Sequence, residues 1–208
     1  MNVYEAIAAR RTIRDFAERP VAMPVVEKII EAGLKAPTNN HLRQWEFVVV
    51  DGKEERAKVL RGTNMTDKDE WEAMLDGFGM TDTVQRDMYR EAMPRQFSML
   101  YNAGCLILPF FKVREPLLKP SSLSSLNDFA SIWCCIENML PAAASEGILG
   151  VTRIPMQEES EHIQRVIGHP DAYAMPCYLA LGYPAENASI PKQKNIQAKD
   201  RIHINCWK

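Results

Sequence analysis

The chain has 208 residues, with 25 Lys plus Arg against 27 Asp plus Glu, so its formal net charge is −2. This balance gives no global attraction for nucleic acid or an anionic membrane, and neither is expected as a partner. Hydrophobic residues make up 46% of the chain and charged residues 25%, which is typical of a folded domain and not of a disordered protein. The longest uncharged apolar run, residues 103–111, is too short to span a bilayer.

Cysteine usage and the start of the sequence predict a cytoplasmic protein. The five cysteines are an odd number spread along the chain, which favours reduced thiols. Residues 1–16 carry Glu5 and Asp15 and lack the apolar centre of a signal peptide. No metal is expected, because the four histidines are not spaced with the cysteines as zinc ligands.

Helical and strand patterns alternate along the chain. The first half predicts helices over 2–9, 24–36 and 53–61 and a strand over 45–50, where WEFVVV ends at Asp51-Gly52. The second half predicts strands over 103–111, 151–154 and 176–181, helices over 126–145 and 158–167, and a basic, extended C-terminal arm over 185–208. This alternation indicates a mixed sheet with helices packed on it.

Residues 62–99 hold six of the eleven methionines and predict two short helices. Two interpretations stay open. Met-rich segments adapt their shape, which suits a mobile lid over a pocket, but methionine also fills gaps in a peripheral helical subdomain.

The predicted helix over 126–145 is apolar around nearly its whole circumference, with only Asp128 and Glu137 charged. Such a helix must be covered on most sides, either by the chain's own sheet or by a second copy in a homodimer. Pro141 is expected to kink it or to mark its last turns. Within it, Cys134 and Cys135 favour small core residues over a strained disulfide.

Two polar constellations are candidates for binding. Arg10, Arg11 and Arg14 can cradle a phosphate through paired hydrogen bonds, although a solvated basic face has the same pattern. The loop APTNNH at 36–41 can grip the polar edge of a heterocycle, although Asn and Thr also favour turns without a ligand. Dinucleotide and phosphate-loop glycine motifs are absent from the sequence, as are serine-hydrolase and zinc-protease motifs.

Taken in order, several segments resemble the nitroreductase family of flavin-dependent oxidoreductases. The resemblance begins at RRTIRDF (10–16) and continues through 20–34, Ala36-Pro37-Thr38 and WEFVVV (45–50). It resumes at the alanine-rich helix leading into a glycine loop (142–150) and at LALGYP (179–184).

The resemblance implies a single domain over residues 1–208 with an α+β sandwich fold. In that fold a central mixed, mainly antiparallel sheet is surrounded by helices and completed by an arm swapped between the subunits of a homodimer. FMN is then expected at the subunit interface.

By the same resemblance, each implied FMN contact falls on a residue of this chain. The phosphate and ribityl end would be held by Arg10, Arg11, Thr12 and Arg14, and the flavin would be approached from the partner subunit by Thr38, Asn39 and Asn40. Gly147 and the backbone after it would line the isoalloxazine ring, and Lys199 or Arg201 would be a late cationic phosphate ligand.

The implied reaction is ping-pong hydride transfer from NAD(P)H through FMN to a nitroaromatic, a quinone or a similar small acceptor, with no side-chain nucleophile. Two alternatives stay open. One is a specialised flavin reductase or dehalogenase of the same fold that uses residues 62–99 as a substrate lid, and the other is a flavin carrier or sensor without robust turnover.

The chain departs from the family where many members have amides before the tryptophan, because here His41, Arg43 and Gln44 precede Trp45. One hypothesis is that His41 and Arg43 only re-form the hydrogen bonds of the loop. A second is that His41 or Arg43 selects an anionic acceptor or donates a proton.

Overall fold

The computed structural model describes residues 1–61 and 68–207, with helices on both faces of one sheet. The helices are α1 (Val3–Ala9), α2 (Met23–Gly33), α3 (Lys53–Val59), α4 (Lys68–Gly77), α5 (Thr83–Ala92), α6 (Ser98–Tyr101), α7 (Asn127–Ser145) and α8 (Gln157–Ile167). The strands are β1 (Trp45–Val50), β2 (Cys105–Lys112), β3 (Leu149–Arg153), β4 (Tyr173–Ala174) and β5 (Tyr178–Gly182). Within these ranges, 3₁₀ turns lie at Asn39–His41, Met93–Arg95, Leu123–Leu126 and Ala198–Asp200.

The sheet has the order β1-β2-β5-β3, and β4 pairs with the far end of β2. Every pairing between these named strands is antiparallel, with Trp45 opposite Phe111 and Leu149 opposite Gly182. The predicted α+β sandwich with a mainly antiparallel sheet is therefore confirmed.

Strand β2 is central and is buried on both faces, as its apolar sequence predicts. Its one proline, Pro109, lies opposite Phe47 of β1. On the other side of β2 the pairing with β5 covers only residues 105–107 and the pairing with β4 begins at Phe111. Pro109 therefore falls in a gap between two partner strands, where a missing backbone N–H costs little.

Two apolar cores result, one on each face of the sheet. Helices α2 and α7 cover the first, which contains Ile107, Ile136 and Leu179. The second contains Leu106, Phe110 and Tyr178 and includes buried residues of α3, α6 and α8. Neighbouring strand residues, such as Leu106 and Ile107, belong to different cores because side chains alternate between the two faces of a sheet.

Helix α7 is largely covered by its own chain, since α1, α2, β2 and β3 all contact it. It runs to Ser145 with Pro141 inside its last turns. Its exposed stripe is small or polar: Ala130, Cys134, Glu137 and Asn138. Most of the burial of α7 therefore comes from its own chain and not from a second copy.

The remaining predictions agree with the structure to within a few residues. The predicted helix over 24–36 ends at Gly33, and Leu34 and Lys35 form a turn before Pro37. The helices predicted within 62–99 are α4 and α5, followed by the short α6, while residues 62–67 lie outside the described part of the chain. In the described ranges, 1–61 and 68–207, no helix is long and apolar enough to cross a membrane.

Candidate functional site

The basic segment 10–16 lies along the free edge of β3. Thr12 forms a parallel bridge with Gly150, and the Ile13 N–H donates to the Gly150 carbonyl at 3.3 Å. Ile13 is fully buried and Phe16 nearly so, which anchors the segment in the core. Because buried apolar residues fix the backbone, the polar residues between them are held in place instead of being left on a solvated loop.

A cavity of about 230 Å³ opens beside this segment. Arg10 and Thr12 line one part of it, and Trp133, Ile136 and Leu140 of α7 line another. The rest of its lining is Glu137 and residues 150–152. A cation next to apolar and aromatic side chains is the arrangement expected for an anionic ligand with a flat apolar body.

Gly150, the strand residue that Thr12 and Ile13 contact, has no side chain because β5 lies too close on its other side. A Cβ at this position would lie 2.3 Å from the Ala180 carbonyl oxygen and 2.6 Å from Leu181 Cδ2, so a side chain cannot be added without moving β5. Gly147, the predicted flavin contact, lies outside the lining of the cavity. It is exposed at the end of α7 with φ +72°.

The three arginines of the segment have different surroundings. Arg10 lines the cavity. The Arg11 guanidinium turns back onto the end of α1, where Nη1 donates to the Ala8 carbonyl and, at 2.8 Å, to the Arg10 carbonyl. This contact caps the orphan carbonyls of the helix end. In this arrangement Arg11 stabilises the helix and does not point a free guanidinium at the cavity.

Arg14 is half-buried, and its buried Nε has no hydrogen-bond partner among the residues that the structure describes. Burial lowers the pKa of its guanidinium, and the Glu91 carboxylate opposes this shift. Buried polar groups in folded proteins are usually paired, so an unpaired arginine nitrogen points to a ligand or a solvent molecule as its partner.

Arg95, in the 3₁₀ turn after α5, contacts the segment 10–16 although it lies far from it in the sequence. Arg95 Nη1 forms an ion pair with Asp15, and Arg95 also lies 3.4 Å from the Glu91 carboxylate. The α4–α5 hairpin is itself held by charges, since Glu72 contacts both Arg86 (2.7 Å) and Arg90. The half of the predicted lid that follows α4 therefore packs against the predicted phosphate-binding segment.

A buried ion pair fixes the loop that leaves β3. Arg153 donates to both Glu159 oxygens at 2.8 and 2.7 Å and to Gln96 Oε1 at 2.6 Å. Glu159, only 2% exposed, also accepts from the Met156 N–H at 2.7 Å. The end of β3, the start of α8 and the segment after α5 are thus tied together at one point.

The predicted loop residues before β1 lie near the N-terminal end of α7. The Asn39 N–H donates to Ser131 Oγ at 3.1 Å, and Thr38 Oγ1 donates to the Asn39 carbonyl at 3.2 Å. Asn40 lies in the 3₁₀ turn 39–41. Thr38 and Asn39 line a different cavity from the one beside Arg10, so within the described part of one chain these two residues do not meet the arginine segment.

His41 and Arg43 both have positive φ, +56° and +43°. Such values cost non-glycine residues about 1 kcal/mol or more each. Arg43 Nε donates to the Leu34 carbonyl at 2.9 Å, at the end of α2. This bond ties the loop to α2 and favours the structural hypothesis for Arg43, while His41 is exposed.

Lys199 and Arg201 are exposed in the arm, which here means residues 185–208. Neither lines a described cavity. Lys194 pairs with Asp82 at the start of α5, so within one chain the arm contacts the α4–α5 hairpin. In the described ranges, no group of three or more His, Cys, Asp or Glu side chains forms a candidate metal site.

Sequence reasoning missed the α7 side chains that line the cavity and the contacts of Arg95 and Arg153. The α7 residues have the same apolar pattern as core residues, so nothing in the sequence distinguishes a cavity wall. Arg95 and Asp15 are 80 positions apart, and no local pattern links them.

Comparison with known proteins agrees with this geometry. Residues 7–183 match the model of the Nitroreductase family. An iodotyrosine deiodinase from Haliscomenobacter hydrossis is 25% identical over 201 residues, which cover 97% of this chain and 86% of that protein. A protein from Methanothermobacter thermautotrophicus, provisionally named NADH dehydrogenase/NAD(P)H nitroreductase, is 27% identical over 209 residues, which cover 100% of this chain and 88% of that protein.

The fold also matches a solved structure of an oxidised iodotyrosine deiodinase bound to FMN and 3-iodo-L-tyrosine. The TM-score is 0.73 over 99% of this chain and all of that one, at 17% sequence identity. At this identity the likeness concerns the fold alone.

Proposed function

The chain belongs to the nitroreductase family, and on that premise we propose that it is an FMN-dependent oxidoreductase that passes hydride from NAD(P)H to a small acceptor. The observation that carries the proposal is the cavity between the anchored segment 10–16 and α7. It offers the Arg10 guanidinium next to apolar walls. The relative named as an NAD(P)H nitroreductase supports the donor, and the FMN-bound neighbour supports the cofactor.

The residues present fit FMN. Arg10 would hold the phosphate and the Thr12 backbone would add a contact, both from the lining of the cavity. Arg14 is not part of that lining, and its Nε, which has no partner among the described residues, would donate to the cofactor from farther along the segment. When bound, FMN would accept hydride from NAD(P)H and deliver it to a nitroaromatic, a quinone or a similar acceptor in separate encounters. The apolar side chains Trp133 and Ile136 would exclude water from one part of the cavity.

The other proposed ligands need a second copy of the chain or a movement of the arm. Thr38, Asn39 and Asn40 would approach the flavin from the partner subunit, since within one chain Thr38 and Asn39 lie outside the Arg10 cavity. Lys199 and Arg201 would join Arg10 at the phosphate once the arm is held in place. Two charges on a phosphate group explain why cations from distant parts of the sequence would converge.

A homodimer is part of the proposal and is supported by exposed apolar surface. On α1, Val3, Tyr4 and Ile7 are 63%, 81% and 52% exposed. In the arm, Ile202 and Ile204 are 64% and 73% exposed and alternate like the residues of a strand. An apolar surface of this kind marks an interaction site. The outer edge of β1, which pairs with no strand in the described ranges, would give such a strand a partner.

The prediction of a cytoplasmic location is kept as part of the proposal. Its support is that Cys105, Cys135 and Cys177 are buried free thiols. Burial raises the pKa of each to about 12, which makes them unreactive and suits packing rather than disulfide formation.

A second candidate function is reductive dehalogenation of an aromatic acid on the same fold. The relationship to iodotyrosine deiodinases over 97% of the chain favours it. So does the position of the α4–α5 hairpin, because the 3₁₀ turn that directly follows α5 contacts the proposed flavin-binding segment through the ion pair of Arg95 with Asp15. A carrier or sensor without turnover is the third possibility and is separated from both by rate measurements.

The first experiment is the visible absorption spectrum of the purified protein, with identification of the chromophore released on heating. We expect FMN at about one per chain. Arg10→Gln is expected to weaken FMN binding, and Arg165→Gln, on the exposed side of α8, serves as the matched control. A colourless protein that fails to take up FMN would refute the cofactor and every site assignment.

Steady-state oxidation of NADH and NADPH then separates the functions. Rates that rise with nitroaromatics or quinones support the first candidate, and halide release from halogenated tyrosines supports the second. Low rates with every acceptor despite bound FMN favour a carrier. His41→Ala tests the proton-donor and anion-selector hypotheses: unchanged rates with both carboxylated and neutral acceptors would reject them.

A further inference from the structure

A cavity at the end of β1 is lined by a buried arginine whose hydrogen bonds to the described residues all go to backbone carbonyls. We propose that this cavity binds a small monocarboxylate with an apolar body, held by the guanidinium of Arg56. The inference does not rest on the proposed FMN site, because none of the described residues lines both this cavity and the cavity beside Arg10.

The cavity has a volume of about 450 Å³ and lies where β1 ends and where α2, α3 and β2 begin. A volume of this size is typical of sites for small organic molecules. Its apolar wall includes Val21, Val26 and Val50, which are 8%, 1% and 5% exposed. Such a wall favours a ligand with an aliphatic or aromatic body over a hydrated inorganic ion.

Arg56 of α3 supplies the buried polar group of this cavity and is only 7% exposed. Its Nε donates to the Val50 carbonyl at 3.3 Å, and its Nη1 donates to the carbonyls of Tyr101, at 3.2 Å, and Ala103. These bonds fix the guanidinium between the end of β1 and the segment before β2. Nη2 has no hydrogen-bond partner among the described residues, so its two N–H groups are left for a ligand.

The positive charge of Arg56 is not neutralised by contact with a carboxylate of the described residues, since the groups that accept its hydrogen bonds are neutral carbonyls. Burial lowers the pKa of its guanidinium, and the charge of the nearby Asp51 carboxylate opposes this shift only in part. Buried charges in folded proteins are normally paired. A buried guanidinium that faces a cavity without such a pair therefore points to an anionic ligand.

The other charged residues of the lining indicate how much charge the ligand carries. Arg19 and Lys53 supply cations, and Glu18 and Asp51 supply carboxylates. All four are exposed, whereas Arg56 is buried. Three cations against two carboxylates leave the lining with a net charge of +1.

This balance selects a monoanion. One negative charge on the ligand neutralises the lining, whereas the two charges of a phosphate ester would leave one in excess. A carboxylate also accepts charge-assisted hydrogen bonds from an arginine, which are stronger than those of a neutral acceptor. The ligand class that fits both the charge and the apolar wall is a small aliphatic or aromatic monocarboxylate.

Calorimetric titration of the purified protein with hydrocinnamate tests the site, and hydrocinnamyl alcohol is the neutral control. We expect one hydrocinnamate per chain and roughly tenfold weaker binding of the alcohol, which offers no charge to Arg56. Equal affinities for the two compounds, or no binding of hydrocinnamate, would overturn the proposal.

Met23 provides a matched pair of variants that locates the ligand. It lines the cavity, is 47% exposed and is the first residue of α2, where a carboxylate is favourable for the helix. Met23→Glu is expected to weaken hydrocinnamate binding roughly tenfold by charge repulsion, whereas Met23→Gln should bind like the native protein. The same affinity for both variants would show that the ligand lies elsewhere.

Two arginine variants separate this site from the proposed FMN site. Arg56→Met is expected to abolish hydrocinnamate binding. Because Arg56 also holds backbone carbonyls, that result counts only if the variant keeps a native circular dichroism spectrum, and otherwise the Met23 pair decides. Arg10→Gln is expected to weaken FMN binding and to keep the affinity for hydrocinnamate. Loss of hydrocinnamate binding in Arg10→Gln would place the ligand beside Arg10 and overturn this inference, whereas a native protein that takes up no FMN but binds hydrocinnamate would refute the proposed function alone.

Discussion

Replacing Glu159 by glutamine is expected to destabilise the fold strongly, because it removes one half of a buried ion pair. The Glu159 side chain is 3% exposed and that of Arg153 is 12% exposed. In the native protein, the carboxylate accepts two hydrogen bonds from Arg153 and one from the Met156 N–H. Glutamine keeps the shape but has one acceptor oxygen and no charge.

The magnitude follows from this burial. Removing one partner of a buried pair typically costs about 3–5 kcal/mol, because the remaining charge stays desolvated. Glutamine retains one acceptor for Arg153, so a loss of about 3 kcal/mol is expected, the low end of that range. This is a large part of the about 5–15 kcal/mol that stabilises a typical domain. It corresponds to a fall in Tm of about 6–12 °C for a chain of this size.

Urea unfolding at fixed protein concentration measures the loss as a shift in the midpoint at constant slope. Glu55→Gln is the matched control, since Glu55 pairs with Lys58 at 2.6 Å with both side chains about half exposed, and its midpoint should not move. The double variant Arg153→Met, Glu159→Leu should lose less than Glu159→Gln. A loss below about 1 kcal/mol for Glu159→Gln, or a larger loss for the double variant, would refute the role assigned to the pair.

Three further predictions concern the two glycines after α7, Arg43 and Glu72. Gly150→Ala should force β3 away from β5, shift with it the segment that is bridged to Gly150, and so release FMN, as visible spectra would show. Gly147→Ala, whose Cβ meets nothing within 4 Å, should retain FMN at a cost of about 1 kcal/mol in stability, as urea midpoints would show. Arg43→Ala should lose about 0.5–1 kcal/mol and leave acceptor preference unchanged in rate assays, and an altered preference would assign Arg43 to the site. The pKa of Glu72 is lowered from 4.5 to about 2, first by its hydrogen bond to Arg90, so its stabilisation of the α4–α5 hairpin is complete above pH 4.5 and is lost as the pH falls through about 2. Glu72→Gln should therefore speed hydrogen exchange in the hairpin at pH 7 but match the native protein near pH 2, and equal exchange at pH 7 would contradict this.

The sequence was sufficient for elements whose signal is local. WEFVVV followed by Asp51-Gly52 predicted β1 to its exact ends, since β-branched residues and a turn define a strand on their own. The long apolar run that became α7 was predicted within a residue of its observed bounds. The elements that pack against α7 were not predictable, because an apolar surface shows that a helix must be buried but not which element buries it.

The sequence predicted which segment borders the site, but not the role of each residue in it. The segment 10–16 does border a cavity, yet Arg11 folds back onto the Ala8 carbonyl while Arg10 faces the cavity. The same limit applies to the two glycines after α7. Gly147 is needed for its positive φ and Gly150 for its missing Cβ, and only the packing of β5 against β3 distinguishes the two needs.

The division of the proposed FMN contacts between two chains has a thermodynamic consequence. A monomer offers Arg10, Thr12 and Arg14 but lacks the partner's Thr38, so its FMN affinity should be lower than that of the dimer. Because coupling free energies are reciprocal, FMN must then tighten the dimer by the same factor. At a free FMN concentration of about 100 times its dissociation constant, a ligand that binds only one of two states stabilises that state by about 2.7 kcal/mol. FMN affinity should therefore fall on dilution through the range in which the dimer dissociates. An affinity that stays constant across that range would show that one chain supplies all the contacts.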